Sequence, residues 1–500
     1  MDIYTAYKPF RNYLCGFDLE SSLVDGWRYF QCICSDVPLP KTFAVGRPTW
    51  PLQELKFQIP PWDLDLLMQE LLINAGTGGS KSLRLWKDLS KSINFIRSLE
   101  DEIIEKYARP KDVLFDFHRI AHRQFPWQSK PSVNNLLRYL KIFGHESFDS
   151  IASQQIGMIS KQYFLAGIAA SGHFSKSPFM STNQDYSILG LDQEQTARFF
   201  GRLTIDIKTL RAQTLDRRSF DDGFLYRSNI LEETPLIQMD PRNPDRVICP
   251  IPLYLMRRWS QGMFYDLASA QDFGNSFGES FQRYVGEVFA EIFSEPRFSI
   301  SAESGYLIKG SPKHGVDWII SDNTANLFIE CKTKRLSRGA RLVKDRSVLE
   351  RELDILAQSV VQNYKNILEA LSGVTKWPVR DVPNFSIILT LEDWFLFSPT
   401  VQDDLERLVR AKLNEAALNE SILSTIPYTI TSIAEMETAA QVIASVGISQ
   451  IMTKKIDEKY RRWSLLPYLR DEFPIEFRKS HSRIFADEWK KLGLPIVRPQ

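Results

Sequence analysis

An α/β core with helical regions on either side is the fold class that this 500-residue chain predicts, and two observations predict it. From about residue 270 the apolar pattern runs helix, three short strands, helix, strand, the alternation of a sheet with helices packed on it. Before and after that stretch, segments of helical period dominate. The length exceeds one ordinary domain. The expected division is a mostly helical region at 1–265, an α/β domain at 266–400 and a helical, basic extension at 401–500.

In the first region, 64–73 and 93–107 repeat apolar residues at helical spacing, while 38–62 is irregular and rich in proline. The glycines of 76–79 and the polar stretch 171–186 read as loops. Residues 229–250, with prolines at 235, 241, 244 and 250, read as an inter-domain connector leading to an amphipathic helix at 253–268. The core opens with a helix at 277–293, on which Phe277, Phe281, Val285, Val288, Phe289 and Ile292 form one apolar stripe. Strands are expected at 298–307, 316–320 and 327–332, a long helix at 349–371 and a buried strand at 385–391. Helical patterns resume at 402–417 and 434–446. No internal repeat is present.

Composition narrows the function. The 62 basic and 61 acidic side chains leave a net charge of +1, so any polyanion site has to be local. Cysteines at 15, 32, 34, 249 and 331 lack the spacing of a disulfide framework or zinc site, which points to a reducing, cytoplasmic setting. No run approaches the ~18 apolar residues of a membrane helix, and the first fifteen residues lack the apolar centre of an export signal. No membrane role is expected.

Chemistry concentrates in Asp317, Glu330 and Lys332. Alternation along a strand puts Glu330 and Lys332 on one face and Ile329 and Cys331 on the other. If 316–320 and 327–332 close as a symmetric hairpin, Asp317 stands directly opposite Glu330, with Cβ atoms roughly 4.5–5.5 Å apart. Two carboxylates at that distance can share a hard divalent cation, Mg²⁺ or Mn²⁺, which activates water for phosphodiester hydrolysis. Lys332 would position that water and meet the charge that builds on phosphorus. Apolar Leu327, Phe328 and Ile329 lead into the charged pair, and Val316 and Trp318 flank Asp317. Charges that emerge from buried strands are costly without a partner.

These segments, Gly315-Val316-Asp317-Trp318-Ile319-Ile320 and Phe328-Ile329-Glu330-Cys331-Lys332, resemble the PD-(D/E)xK nuclease superfamily, whose core is restriction-endonuclease-like with the order α-β-β-β-α-β. The resemblance covers roughly residues 273–392. The segment Phe277-Gly278-Glu279-Ser280-Phe281-Gln282-Arg283-Tyr284-Val285 resembles the helix that opens this core, where a glutamate usually completes the metal site. Gln282 stands in its place, so the third ligand is open between Gln282, Glu279 and Glu287. Glu279, three residues after Ser276, also fits a capping box. Gln358 and Gln362 lie on the second helix, and Gln362, in Gln362-Asn363-Tyr364-Lys365, matches the glutamine that many members place beside the active site. The resemblance therefore implies Asp317, Glu330, Lys332, Gln362 and Gln282 as site residues. It implies nucleic acid as substrate, DNA ahead of RNA, and a role in bacterial restriction or anti-phage defence. A phage-derived or protein trigger and a homodimer fit such a role. The alternative from another class is a catalytically inactive nuclease-fold protein that binds nucleic acid or a protein partner, which Gln282 makes plausible.

Between Lys332 and Arg346 stand seven basic residues, at 332, 334, 335, 338, 341, 344 and 346, against Asp345. Beside a metal site they would neutralise phosphates without reading sequence. A second excess, 12 basic against 7 acidic residues, occupies 451–500. Other signals carry less. Ala75 to Ser82 has Ala75 and Ser80 where a phosphate-binding loop requires glycine. His118 and His122 share a helix face, but Arg119 stands where a zinc hydrolase needs glutamate, so a structural helix is expected. His314, three residues before Asp317, either reaches phosphate or occupies a loop. No Gly-x-Ser-x-Gly elbow exists to support acyl transfer.

Overall fold

A computed structural model describes residues 2–48, 54–107, 113–128, 133–308, 310–342, 346–480 and 484–491. The chain forms two compact units, one of Met1–Val113, His122–Pro131 and Phe143–Phe273, the other of Leu114–Ala121, Ser132–Ile142 and Gly274–Gln500.

The first unit is largely helical, as its apolar periodicity predicts. Helices Ile3–Leu14, Leu19–Ser35, Pro61–Asn74 and Trp86–Tyr107 bury their apolar faces in one core with Phe10, Leu23, Leu67 and Ile96 at its centre. The expected connector at 229–250 is instead part of this unit. Leu236–Gln238 and Arg246–Ile248 are strands of a four-stranded sheet completed by Phe179–Ser181 and Thr204–Asp206. Ile230, Leu231, Ile237, Val247 and Ile248 are fully buried. The prolines only shorten the strands: Pro241 and Pro244 sit between two of them, and burial of the apolar residues outweighs the breaking signal. The expected helix at 253–268 is two, Pro252–Trp259 and Met263–Leu267.

The second unit holds the candidate site. Helix α1 (Phe273–Ile292) buries Phe277, Phe281, Val285, Val288 and Phe289, as the stripe predicts. Strand β1 (Ser299–Ala302) follows, then a small hairpin of β2 (Tyr306–Ile308) and β3 (Ser311–Lys313) where one continuous strand was expected. Strands β4 (Trp318–Ser321) and β5 (Asn326–Lys332) lead to helix α2 (Arg346–Leu371) and strand β6 (Asn384–Thr390). Helix α3 (Pro399–Glu415), strand β7 (Tyr428–Ser432) and helix α4 (Ile433–Val446) complete the sheet layer. The sheet order is β7-β6-β5-β4-β1. Strands β1, β4 and β5 pair antiparallel, whereas β5, β6 and β7 pair parallel.

Residues 401–500 therefore do not form a separate extension. Strand β7 adds an edge to the sheet, and Val401, Leu405, Leu408 and Val409 of α3 share a core with Leu353, Val360 and Tyr364 of α2 and Phe328 of β5. Residues 114–121 and 132–142 also belong to this unit although they lie in the expected N-terminal region. Helical period reads a helix but not the neighbour it packs against.

Candidate active site

The geometry begins with the β4–β5 turn. Asp322 Oδ1 accepts from the amides of Thr324 and Ala325 at 2.7 and 3.0 Å, closing Ser321 to Asn326 as a tight loop. The register that follows pairs Ser321 with Asn326, Ile320 with Leu327, Ile319 with Phe328 and Trp318 with Ile329. One step on, Asp317 faces Glu330, the register expected of a symmetric hairpin. The two carboxylates thus leave the sheet side by side at the end of an apolar ladder.

Each charged group has a defined partner. The backbone N–H of Cys331 donates to Asp317 Oδ2 at 2.6 Å, and Lys332 Nζ donates to Glu330 Oε1 at 2.7 Å. Glu330 is 7% exposed, and its Oε2 is buried with no hydrogen-bond partner. Burial, then the neighbouring Glu330 charge, pushes the Asp317 carboxyl up to about 7. Burial also raises Glu330, against the opposing pull of Lys332. Burial alone would lower the Lys332 ammonium, but Glu330 outweighs it and holds it above its ordinary value. Burial and the adjacent Asp317 and Glu330 charges push the Cys331 thiol up. Repelling carboxylates with an unmet oxygen fit a hard cation.

A third carboxylate stands beside them that the motif did not reveal. Strand β1 pairs Ala302 with Trp318, and the ladder continues one step as the Glu303 amide donates to the Asp317 carbonyl at 2.9 Å. Glu303, Asp317 and Glu330 therefore occupy facing positions on three neighbouring strands. The Glu303 charge acts on both of the others, raising each carboxyl. Its own oxygens are engaged: Gln282 Nε2 donates to Oε2 at 3.2 Å, and His314 Nδ1 lies 3.0 Å from Oε1. No group of three or more His, Cys, Asp or Glu side chains is gathered at metal-ligand spacing among the described residues. No motif pointed to Glu303, which falls inside the strand expected at 298–307, whereas the strand ends at Ala302.

Gln282 reaches the row from α1 through Glu303. Its carbonyl accepts from Trp318 Nε1 at 3.0 Å, and a Cβ on Gly286 would fall 2.2 Å from the Trp318 ring, so that glycine lets α1 approach β4. Glu287 turns elsewhere, to Lys141 at 2.8 Å and Arg283 at 3.4 Å. Glu279 is exposed, and because α1 starts at Phe273, Ser276 lies inside the helix rather than at its cap. Gln362 lies exposed on α2 and donates to Asn366 Oδ1 at 3.0 Å, while Asn366 donates to the Gly315 carbonyl at 3.2 Å. It is tied to the segment before Asp317 through Asn366. Gln358 is exposed as well.

No family model, curated protein or solved structure matches this chain. Among the described residues no helix is long and apolar enough to cross a membrane.

The basic run after Lys332 is less free than its composition implies. Arg335 is buried 3.3 Å from Glu392, and Lys334 lies 3.9 Å from Glu352. Arg338 and Arg346 are exposed, whereas Lys344 and Asp345 lie outside the described residues. Part of the C-terminal excess is matched by acids: Lys459 meets Asp471 at 2.9 Å, Arg462 meets Asp403 at 2.6 Å, and Lys454 pairs with Glu472. The set-aside signals are structural. His118 is fully buried, with Nε2 donating to the Ala340 carbonyl at 3.0 Å, and a Cβ on Gly79 would strike the Phe17 backbone at 2.3 Å.

Proposed function

We propose that this chain is a metal-dependent nuclease of the PD-(D/E)xK type that hydrolyses phosphodiester bonds, with DNA as its substrate ahead of RNA. The observation that carries the reading is Asp317 opposite Glu330, one step beyond the last pair of β4 and β5, with Lys332 on Glu330, in a sheet whose elements α1, β1, β4, β5, α2 and β6 follow the order α-β-β-β-α-β with the β2–β3 hairpin inserted. A bound Mg²⁺ or Mn²⁺ would supply Lewis-acid activation of water and of the phosphate. Asp317 and Glu330 would hold it. Lys332 would orient the water that attacks phosphorus as the P–O bond to the departing oxygen breaks, and its charge would offset the charge gathering on the phosphate. Gln282 and Gln362 would border this centre, Gln362 through Asn366. Arg338 and Arg346, exposed near it in sequence, are candidates for backbone phosphate contacts. A cytoplasmic defence enzyme, released by a phage-derived or protein trigger and working as a homodimer for double-strand cuts, is the setting that fits this chemistry.

The test is incubation of plasmid, linear and single-stranded DNA, and RNA, with Mg²⁺, Mn²⁺ or EDTA. Cutting that requires the cation and disappears in Asp317→Ala, Glu330→Ala and Lys332→Ala supports the enzyme. Nucleic-acid binding without cutting, unchanged by those substitutions, would leave the inactive nuclease-fold reading. Gln282 in place of a helix carboxylate, and the absence of pre-gathered ligands among the described residues, favour that second reading.

A further inference from the structure

Resting on the cation site just proposed, we propose that Glu303 is its third carboxylate and supplies the charge that the helix position, occupied by Gln282, does not. The backbone places it in the same row, and the side chains would have to draw together on a cation, since they are not gathered at ligand spacing among the described residues. Register puts Glu303 beside Asp317 on one side as Glu330 lies beside it on the other, so the three side chains share a face. Each step across the sheet is ~4.8 Å, within reach of the two-carbon arm of a glutamate on either side of a central aspartate. Lys332 stands beside these three carboxyl groups and satisfies one oxygen of Glu330.

The second oxygen of Glu330 points to a ligand, since it is buried without a partner on a residue only 7% exposed. An orphaned carboxylate oxygen in such a place is costly unless a cation or donor meets it. Glu303 is the neighbouring carboxylate whose charge already acts on Glu330, and it would have to exchange a present partner to join it. Its side chain is 25% exposed and its Oε1 contact is with His314, which is 83% exposed, so exchanging that contact for a cation costs little. The hard oxygen set suits Mg²⁺, Mn²⁺ or Ca²⁺ rather than a thiophilic metal. Gln282 acts as a positioning residue: its amide donates to Glu303 Oε2, so that Oε1, now against the exposed His314, is the oxygen that would turn toward the row. An amide there adds no fourth negative charge, which a glutamate would.

Isothermal titration calorimetry of the full chain with MnCl₂, without nucleic acid, tests this. Expected are saturable Mn²⁺ uptake by the wild type, at least about tenfold weaker affinity in Glu303→Gln, a smaller loss in Gln282→Leu, and none in Glu279→Gln. Melting in EDTA controls for folding, and Glu303→Gln should melt no lower than wild type because it relieves like-charge repulsion. Wild-type affinity in Glu303→Gln would overturn the role of Glu303 while leaving the two-carboxylate site intact. No uptake by the wild type, or uptake insensitive to Asp317→Asn, would remove both proposals.

Discussion

Lys332 Nζ donates to Glu330 Oε1 at 2.7 Å, while Glu330 Oε2 lies buried with no partner. One oxygen of the same carboxylate is thus claimed by the chain and the other is left for something else. On the proposed reading this separates the role of Lys332 from that of a cation ligand. In the proposed enzyme Lys332→Ala should reduce cleavage by about 10²–10³-fold, the usual cost of losing one charge-stabilising donor. Cation affinity should hold or tighten, because a positive neighbour has gone. Cleavage rates and Mn²⁺ titrations on the same preparation check this, and loss of both together would argue against the assigned role.

Asp317 does two jobs that substitution can separate. Its Oδ2 accepts the Cys331 amide at 2.6 Å, and its charge contributes to the carboxylate row. Asp317→Asn retains an acceptor for that amide and removes the charge, so it should melt at or above wild type in EDTA and lose cation binding. Asp317→Ala also leaves the Cys331 N–H unmet, at a cost of about 1–3 kcal/mol. Equal melting temperatures for the two variants would show that the hydrogen bond carries no weight in the fold.

The β4–β5 hairpin was legible because its side-chain period and its six-residue closure specify one register, and the structure has that register. Glu303 was not, because it reads as an interior residue of one strand at 298–307, whereas β1 ends at Ala302 and Tyr306–Ile308 pairs with Ser311–Lys313 instead. Strand β7 was hidden for a related reason: Tyr428 to Ser432 is five residues between two helices, and its pairing with β6 is a tertiary fact. The paired state of Arg335 and Lys454 was equally out of reach, since a count of charges says nothing of carboxylates brought in from residues 392 and 472.

His118 predicts a pH dependence. It is fully buried with Nε2 donating to the Ala340 carbonyl, and burial lowers its pKa from an ordinary 6.5 to about 4. The unfolded chain therefore binds a proton that the folded chain refuses between those values. Stability is complete above pH 6.5 and falls as pH drops toward 4, by at most about 3 kcal/mol from this residue. Urea unfolding of wild type and His118→Gln at pH 7, 6, 5 and 4 should show the smaller pH slope in the variant. Parallel slopes would mean that the imidazole titrates freely.

Arg138 and Glu437 form a buried two-pronged pair, with Nε to Oε1 at 2.7 Å and Nη2 to Oε2 at 2.8 Å, and Tyr284 Oη donates to the same Oε1 at 2.8 Å. The pair joins the helix Val133–Phe143 to α4, and Tyr284 adds α1, the helix that carries Gln282. Both side chains are under 10% exposed, so removing one leaves an unmet charge in a dry site. Glu437→Leu or Arg138→Met alone should cost about 3–5 kcal/mol, and the double variant clearly less than the sum, because apolar replacement of both partners removes the desolvation penalty with the attraction. Denaturant unfolding of the three variants measures this. Strict additivity would show that the two groups do not depend on each other.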